Sequence, residues 1–313
     1  MLPNVIADTP LDATVSELLR GKVQVLPWDE QPTDAGAVQA IYTFGHPHLN
    51  GQMMDRFPNL RVISNYGVGV DHIRLEDAAA RGIPVGNTPD ILNGATADMA
   101  FALLLAGARK VAEGDRYARC PEFTKYEPSY MLGREVHGAT IGIVGLGRIG
   151  FEIARRSQGF NMRVLYHNRR PVPERAERVA AEYVSLPQLL AESDYVVLVC
   201  PLTEETTGLI SSRELSMMKP TATLINIARG PVVDTSALAT ALQNRQIYAA
   251  ALDVTDPEPL PRDHPLLQLY NVTITPHLGS ATEQTRRKMA EMSVENLLLG
   301  LAGKPLINQV NRR

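Results

Sequence analysis

Three short stretches each set a reactive side chain just past an apolar run: "INIARG", "ALDVTDPEP" and "TITPHLGSAT". Arg229 directly follows the first run. Glu258 sits between Pro257 and Pro259 beyond the second, and His277 comes after Pro276 in the third. If the runs are parallel strands of one sheet, their carboxyl ends open on a shared edge, where α/β folds bind ligands. A guanidinium, a carboxylate and an imidazole would then converge. An imidazole gives and takes protons near neutral pH, and a carboxylate beside it favours its charged form. A guanidinium can hold a carboxylate and polarise a neighbouring carbonyl. The set therefore suits proton delivery to a carbonyl oxygen that lies next to a carboxylate. Taken singly, each residue has a plainer explanation: a turn arginine, a solvated glutamate, a surface histidine.

Reduction of such a carbonyl also needs a hydride, and "TIGIVGLGRIGFEIARR" offers a place for its carrier. Gly145, Gly147 and Gly150 fill the G-x-G-x-x-G pattern between a strand and a helix. The first glycine makes the tight turn, the second lets the backbone approach a pyrophosphate, and the third allows close helix–strand packing. The next strand ends in "VLYHNRRP", where a carboxylate for the ribose hydroxyls is usual. Here the position is His167, followed by Asn168, Arg169 and Arg170. A carboxylate would repel a 2′-phosphate by a few kcal/mol at ~4 Å and an effective dielectric near 20, whereas arginines offer it forked donors. This predicts NADP(H) as the preferred cofactor, with NAD(H) possible. The alternative is a pair of solvated loop arginines.

A second glycine-rich stretch, "SNYGVGVDHI" (64–73), follows a strand nearer the N-terminus. Gly67 and Gly69 would bare the backbone N–H groups of Val68 and Gly69, a concavity suited to a carboxylate. A tight turn leading into a helix explains the same residues. His72 reads as structural.

The elements that must position these groups alternate along the chain. Short β-rich runs at 4–8, 23–27, 40–44, 61–65 and 83–87 are separated by amphipathic segments, followed by one long helical stretch at 94–116. The pattern restarts at residue 139 and continues with strands at 163–167, 195–200, 222–228, 249–254 and 271–275. Such alternation predicts parallel sheets covered by helices, and the nearly continuous apolar strands are expected to be buried on both faces. The fold class is therefore α/β, with two doubly wound parallel-sheet domains. The last helix, 281–303, has no strand after it and most simply crosses back to the first domain. Residues 1–96 and 284–313 would form a discontinuous substrate-binding domain, and residues 97–283 the dinucleotide-binding domain, with hinges near Thr96 and Ala281.

Bulk properties narrow the function classes. A chain of 313 residues is long enough for two domains. A formal charge of −3 favours neither nucleic acid nor a membrane surface. The two cysteines, Cys120 and Cys200, are far apart, which fits a reducing compartment and gives no thiolate metal site. The N-terminus lacks a basic leader, and the longest apolar run (99–108) is about half the ~20 residues a membrane span needs. A cytoplasmic protein is expected, with no metal.

With these residues in view, the chain resembles the D-isomer-specific 2-hydroxyacid dehydrogenases. "NYGVGVDHI", "NGATADMAFALLL", "GATIGIVGLGRIG", "INIARGPVVD", "AALDVTDPEPLPRDHPL" and "TPHLGSAT" carry the resemblance over almost the whole length. Within the family it is most like glyoxylate/hydroxypyruvate reductases, with 2-ketogluconate (2-ketoaldonate) reductases close behind. The resemblance implies His277 as acid/base, Glu258 as its partner and Arg229 as substrate clamp. It also implies Val68, Gly69 and Ser280 at the substrate. Thr96, Gly145, Gly147, Arg148, Ile149, Gly150, Asn168, Arg169, Arg170, Pro201, Thr206, Asp253 and Gly279 would lie along the cofactor. It further implies two doubly wound, Rossmann-like domains with a cleft between them, a small 2-keto or 2-hydroxy acid substrate and a homodimer. NAD-using relatives carry an acid at the position of His167, so NAD cannot simply be inherited. A dinucleotide-sensing corepressor of the same fold is the reading from another function class.

Overall fold

The computed structural model of the chain describes residues 1–8, 10–28, 35–44 and 48–312. It divides into two compact units, Met1–Leu92 with Thr282–Arg313, and Asn93–Ala281.

The first unit opens with β1 (Asn4–Ala7), α1 (Ala13–Leu19), β2 (Gln24–Pro27), β3 (Val38–Thr43), α2 (Gly51–Asp55), β4 (Val62–Asn65), α3 (Leu75–Ala80) and β5 (Val85–Gly86). The strands form one all-parallel sheet in the order β2-β1-β3-β4-β5. Helix α1 starts where Asp12 accepts hydrogen bonds from the N–H groups of Thr14 and Val15, so a side chain satisfies donors that the first turn leaves orphaned.

The second unit begins with α4 (Asn93–Arg109) and α5 (Val111–Ala118), then runs through β6 (Thr140–Val144), α6 (Arg148–Ser157), β7 (Arg163–His167), α7 (Pro173–Glu177), β8 (Ala181–Tyr183), α8 (Leu186–Glu192), β9 (Tyr195–Leu198), α9 (Ser212–Met217), β10 (Thr223–Asn226), α10 (Thr235–Gln243), β11 (Ala249–Leu252) and β12 (Val272–Ile274). All seven strands are parallel, in the order β12-β11-β10-β9-β6-β7-β8. Strands β9, β10 and β11 are buried at every residue, as runs of Val, Leu, Ile and Ala covered on both faces require.

The last helix, α11 (Glu283–Leu301), returns to the first unit and packs on β3, β4 and α1. Its fit depends on small residues. A Cβ on Gly300 would lie 2.4 Å from Val62 Cβ, so only glycine lets the helix sit this close to β4. Tyr42 and Ser293 share a buried 2.8 Å hydrogen bond that joins β3 to the same helix.

Two features differ from the sequence expectation. The helical stretch 94–116 is two helices, because Lys110 adopts a left-handed backbone (φ 54°). The Ala108 carbonyl there accepts the N–H of Arg134 at 2.8 Å, so a distant segment takes the acceptor that would have continued the helical ladder. Strand β8 was not expected. It is three residues long, half-exposed to exposed and on the sheet edge, too short to produce a period-2 pattern.

Candidate active site

In the second unit, β6 connects to β7 on one side while β9 pairs on the other, so the chain switches direction beside the carboxyl end of β6. Open α/β sheets bind ligands at such a point. The loop there is "GLGRIG". Gly145 has φ 110°, and a Cβ on it would fall 2.9 Å from the Cys200 backbone nitrogen. A Cβ on Gly150 would fall 2.2 Å from the Gly145 carbonyl oxygen. Both positions therefore demand glycine for the protein's own packing. Gly147 does not: its φ of −79° suits any residue, and a Cβ would meet no heavy atom within 4 Å. No side-chain hydrogen bond caps the α6 N-terminus that begins there.

The loop is held from two sides. Asn168, just past β7, accepts the Leu146 N–H at 2.7 Å, and Arg175 of α7 donates to the Leu146 carbonyl at 3.1 Å. His167 Nδ1 lies 2.9 Å from the Val184 carbonyl, and its ring stacks on Tyr183. Arg169 and Arg170 are exposed. The four residues that end β7 and follow it, His167 to Arg170, include no carboxylate.

Arg229, Glu258 and His277 come from the loops after β10, β11 and β12, and the structure brings them together. His277 Nδ1 is 2.8 Å from Glu258 Oε1. With Nδ1–H donated to the carboxylate, Nε2 is left as the proton-carrying atom for another molecule. Burial pushes the Glu258 carboxyl upward, but the hydrogen bond and charge of His277, the Thr255 N–H and the charge of Arg229 outweigh it. The group is held below the ordinary glutamate range and stays ionised. Thr255 N–H donates to Glu258 Oε2 at 3.2 Å, and Gly230 abuts the same residue: a Cβ on it would lie 1.9 Å from the Thr255 carbonyl. That close approach brings the Arg229 backbone up to the loop of Glu258. The Arg229 side chain is half-buried and donates to the Ala228 carbonyl at 2.9 Å.

His277 has a left-handed backbone, φ 55°, which is uncommon for a residue with a side chain. Asp253, 2% exposed, supplies the restraint. Its carboxylate accepts the Thr275 hydroxyl (2.6 Å) and the N–H groups of Leu278 and Gly279 (both 2.7 Å), while its carbonyl accepts the His277 N–H (2.9 Å). A strained residue persists where its surroundings over-determine it, and such residues gather at functional sites.

In the first unit, the loop after β4 carries Val68 and Gly69, both partly exposed. The carbonyls of Gly67, Val68 and Gly69 all accept hydrogen bonds from asparagine side chains. His72 is 7% exposed, with Nε2 3.4 Å from the Thr43 hydroxyl, a place in the packing of that loop.

Known proteins give this geometry a family. A profile described as "D-isomer specific 2-hydroxyacid dehydrogenase, NAD binding domain" matches residues 101–279. A glyoxylate reductase of Thermococcus gammatolerans is 43% identical over 324 aligned positions, covering 100% of this chain and 97% of the relative. The chain belongs to the D-isomer-specific 2-hydroxyacid dehydrogenases. Solved relatives share both domains. An NADPH-dependent glyoxylate/hydroxypyruvate reductase of Sinorhizobium meliloti, in complex with NADP and malonate, superposes with a TM-score of 0.89 at 33% identity, covering 99% of this chain and 97% of that one. A D-lactate dehydrogenase of Aquifex aeolicus, complexed with NAD and lactic acid, does so with 0.89 at 27% identity, covering 99% of each. This dehydrogenase is thus an NAD(P)-dependent oxidoreductase of small 2-hydroxy and 2-keto acids, most like glyoxylate reductases.

The second unit of the dehydrogenase fits such a cofactor on its own geometry. The space over Gly147 is open, since a Cβ there would meet no heavy atom within 4 Å, and the end of α6, which no side chain caps, suits a pyrophosphate. The remaining residues implied by resemblance lie at the same sheet edge. A Cβ on Gly279 would lie 3.1 Å from Asp253 Oδ2 and 3.5 Å from Thr96, and Thr96 is 7% exposed. Ser280 follows, half-buried. Pro201, just past β9, is exposed, and its carbonyl accepts the Thr206 hydroxyl at 2.7 Å while that hydroxyl accepts the Thr203 N–H at 2.8 Å. Thr206 thus braces its own loop.

Sequence reasoning missed Arg175 and the asparagines behind Val68 and Gly69. Arg175 and Asn87 belong to no local pattern, reaching carbonyls 29 and 19 positions away, whereas Asn65, two and four positions from the carbonyls it meets, lies inside the glycine-rich stretch itself. Among the described residues, no helix is long and apolar enough to cross a membrane, and no group of three or more His, Cys, Asp or Glu could hold a metal ion.

Proposed function

We propose that the enzyme is an NADPH-preferring reductase that turns glyoxylate into glycolate and hydroxypyruvate into D-glycerate. A bound nicotinamide cofactor supplies the hydride. The protein's part is to hold substrate and move one proton. His277, its Nδ1–H fixed on Glu258, gives the Nε2 proton to the carbonyl oxygen as it becomes an alkoxide. Glu258, ionised, stabilises the imidazolium and fixes the ring's orientation. Arg229 polarises the carbonyl and holds the carboxylate, and Ser280 lies at the substrate. In the first unit, the N–H groups of Val68 and Gly69 receive the substrate carboxylate. The first unit is then the substrate-binding domain and the second the dinucleotide-binding domain.

The observation that carries the reading is the 2.8 Å pair of His277 Nδ1 and Glu258 Oε1 beside Arg229. The cofactor preference rests on the end of β7, where His167, Asn168 and two exposed arginines stand in place of an acid. The loop from Gly145 to Gly150, with Arg148 and Ile149 at the α6 N-terminus that no side chain caps, would hold the pyrophosphate. Thr96, Pro201, Thr206, Asp253 and Gly279 would line the rest of the cofactor's path. We also propose a homodimer working in the cytoplasm.

A substrate panel run with both reduced cofactors tests the proposal. The expected result is higher kcat/KM for glyoxylate and hydroxypyruvate than for 2-ketogluconate, and higher with NADPH than with NADH. A clear preference for the six-carbon acid would make the enzyme a 2-ketoaldonate reductase. Sedimentation of the purified protein at the dimer mass checks the assembly.

A further inference from the structure

We propose that Asn65 and Asn87, with Asn308 behind Asn87, are positioning residues for the substrate. Their side-chain amides hold the carbonyls of the Gly67–Val68–Gly69 loop and leave its N–H groups to grip a carboxylate. The inference rests on the reading of that loop as the substrate-carboxylate site.

Asn65 Nδ2 donates to the Gly67 carbonyl at 3.0 Å and to the Gly69 carbonyl at 2.9 Å, and Asn87 Nδ2 donates to the Val68 carbonyl at 2.9 Å. The Gly67 carbonyl also accepts the Thr88 N–H at 3.0 Å. Three successive carbonyls are thus occupied. By contrast, the N–H groups of Val68 and Gly69 donate to no described residue. A peptide unit whose oxygen faces a buried donor turns its N–H the other way, so side-chain amides have sorted the loop's polarity. What remains is an array of unused donors, which suits an anion and repels a cation.

Both asparagines are fixed. Asn65 is 1% exposed and Asn87 is 5% exposed. Asn87 Oδ1 accepts from Asn308 Nδ2, and the Asn87 carbonyl accepts from Asn296 Nδ2 at 3.1 Å. Asn308 is held in turn, its backbone N–H reaching Asn296 Oδ1 at 3.3 Å. Turning the Asn87 amide over would set its oxygen against the Val68 carbonyl and its nitrogen against the Asn308 amide nitrogen. At Asn65 the arrangement carries a cost: Oδ1 is buried without a hydrogen-bond partner. Buried acceptors are seldom left so. An aspartate at 65 would face two carbonyls with lone pairs, and an apolar residue would leave the Gly69 carbonyl unpaired and the Gly67 carbonyl with the Thr88 N–H alone. Only a side chain with two donors on one atom serves both, and the orphaned oxygen is the consequence.

The test uses the full-length protein saturated with NADPH. Asn87→Asp keeps the shape and the acceptor for Asn308 but removes the donor to Val68. Asn308→Ala is the milder variant, leaving Asn87 in place with its orientation no longer enforced. The probe is oxamate, an unreactive analogue of a 2-keto acid, and the readouts are its Kd and the backbone amide NMR signals of Val68 and Gly69. Oxamate Kd and glyoxylate KM should rise about tenfold in Asn87→Asp, the loss of one hydrogen bond in a charge-binding site. Asn308→Ala should fall between it and the wild type. KM for NADPH should stay near the wild type in both variants and Tm in Asn308→Ala, whereas Asn87→Asp loses some Tm to its buried carboxylate. Unchanged oxamate affinity and amide shifts in the variants would overturn the proposal. So would a parallel loss of NADPH affinity and Tm, the mark of a merely structural role. If oxamate binds the wild type without moving the Val68 and Gly69 amides, the reading of the loop itself fails, a separate result.

Discussion

Each unit presents a glycine-rich loop just past a parallel strand, and the two loops expose backbone donors by different means. After β6, the donors belong to the end of helix α6, and the loop is shaped by close backbone approach: Gly145 against Cys200, Gly150 against the Gly145 carbonyl. After β4 no helix begins at once, since α3 starts only at Leu75. There the donors are bared because buried asparagine amides take the carbonyls. One loop is defined by side chains it cannot have, the other by side chains brought to it from Asn65 and Asn87. A pattern of glycines alone therefore does not say how an anion site is built. The two kinds of loop should also fail differently when changed.

The largest effect should come from neither. If both loops only bind, the proton chemistry belongs to the loop after β12. His277→Ala should then lower kcat about 10²–10⁴-fold, the range for a lost general acid, while the Kd values for NADPH and oxamate move less than about twofold. Stopped-flow and fluorescence titration separate the two. A large loss of cofactor affinity would show that His277 shapes the second unit's loop, and the division between binding and chemistry would break.

The next effect tests what extends the loop after β6. Replacing Arg169 and Arg170 together with alanine should raise KM for NADPH about 10–100-fold, since a hydrogen bond to a charged group is worth ~1.5–3 kcal/mol. KM for NADH should change little, and steady-state kinetics with both cofactors decide. An equal effect on the two would make the arginines a solvated pair.

The contrast within the glycine loop is sharper but smaller. Gly150→Ala forces a Cβ to 2.2 Å from the Gly145 carbonyl oxygen. Overpacking of about 1–3 kcal/mol should lower Tm by roughly 3–10 °C. Gly147→Ala meets nothing in the protein, so Tm should hold while KM for NADPH rises several-fold. Calorimetry beside kinetics reads both. If Gly147→Ala lost stability and kept its affinity, the space over it would serve the fold and not a ligand.

These differences track what the sequence could disclose. The glycine loop, the three strand-end residues and most strands were legible because each is a local pattern: a 3.6 or 2 period, a fixed glycine spacing, a side chain just past an apolar run. The break at Lys110 was not, because its cause is an N–H from Arg134, 26 positions on from the Ala108 carbonyl it meets in the fold. The support of the first loop by Asn87 and Asn308 was hidden for the same reason, whereas Asn65 stands only two and four positions from the carbonyls it meets. Asn308 and Asn87 are 221 positions apart, and an asparagine that turns a carbonyl looks like one in solvent. The left-handed backbone at His277 was equally silent, since the Asp253 that restrains it lies 24 positions earlier in an ordinary strand end. Donors and acceptors that meet only after folding leave no spacing to read.

The smallest expected effect concerns the charge that links the loops after β11 and β12. The Glu258 carboxyl lies below its ordinary range because His277, the Thr255 N–H and Arg229 favour the anion. A depressed carboxyl stabilises the fold above its unfolded value, about 4.3, and that contribution disappears as pH falls through the folded value. The Glu258 contribution to the difference in Tm between the wild type and Glu258→Gln should therefore be in place at pH 6 and shrink on acidification below about pH 4.3. Its size should be modest, since the side chain is 40% exposed and solvent screens the pair. Activity should respond more than stability. Glutamine can still accept from Nδ1–H, so the ring keeps its place while the imidazolium loses its counter-charge. A fall in kcat with steady oxamate affinity would assign Glu258 to the proton, whereas a matching loss of oxamate affinity would assign it to the positioning of Arg229.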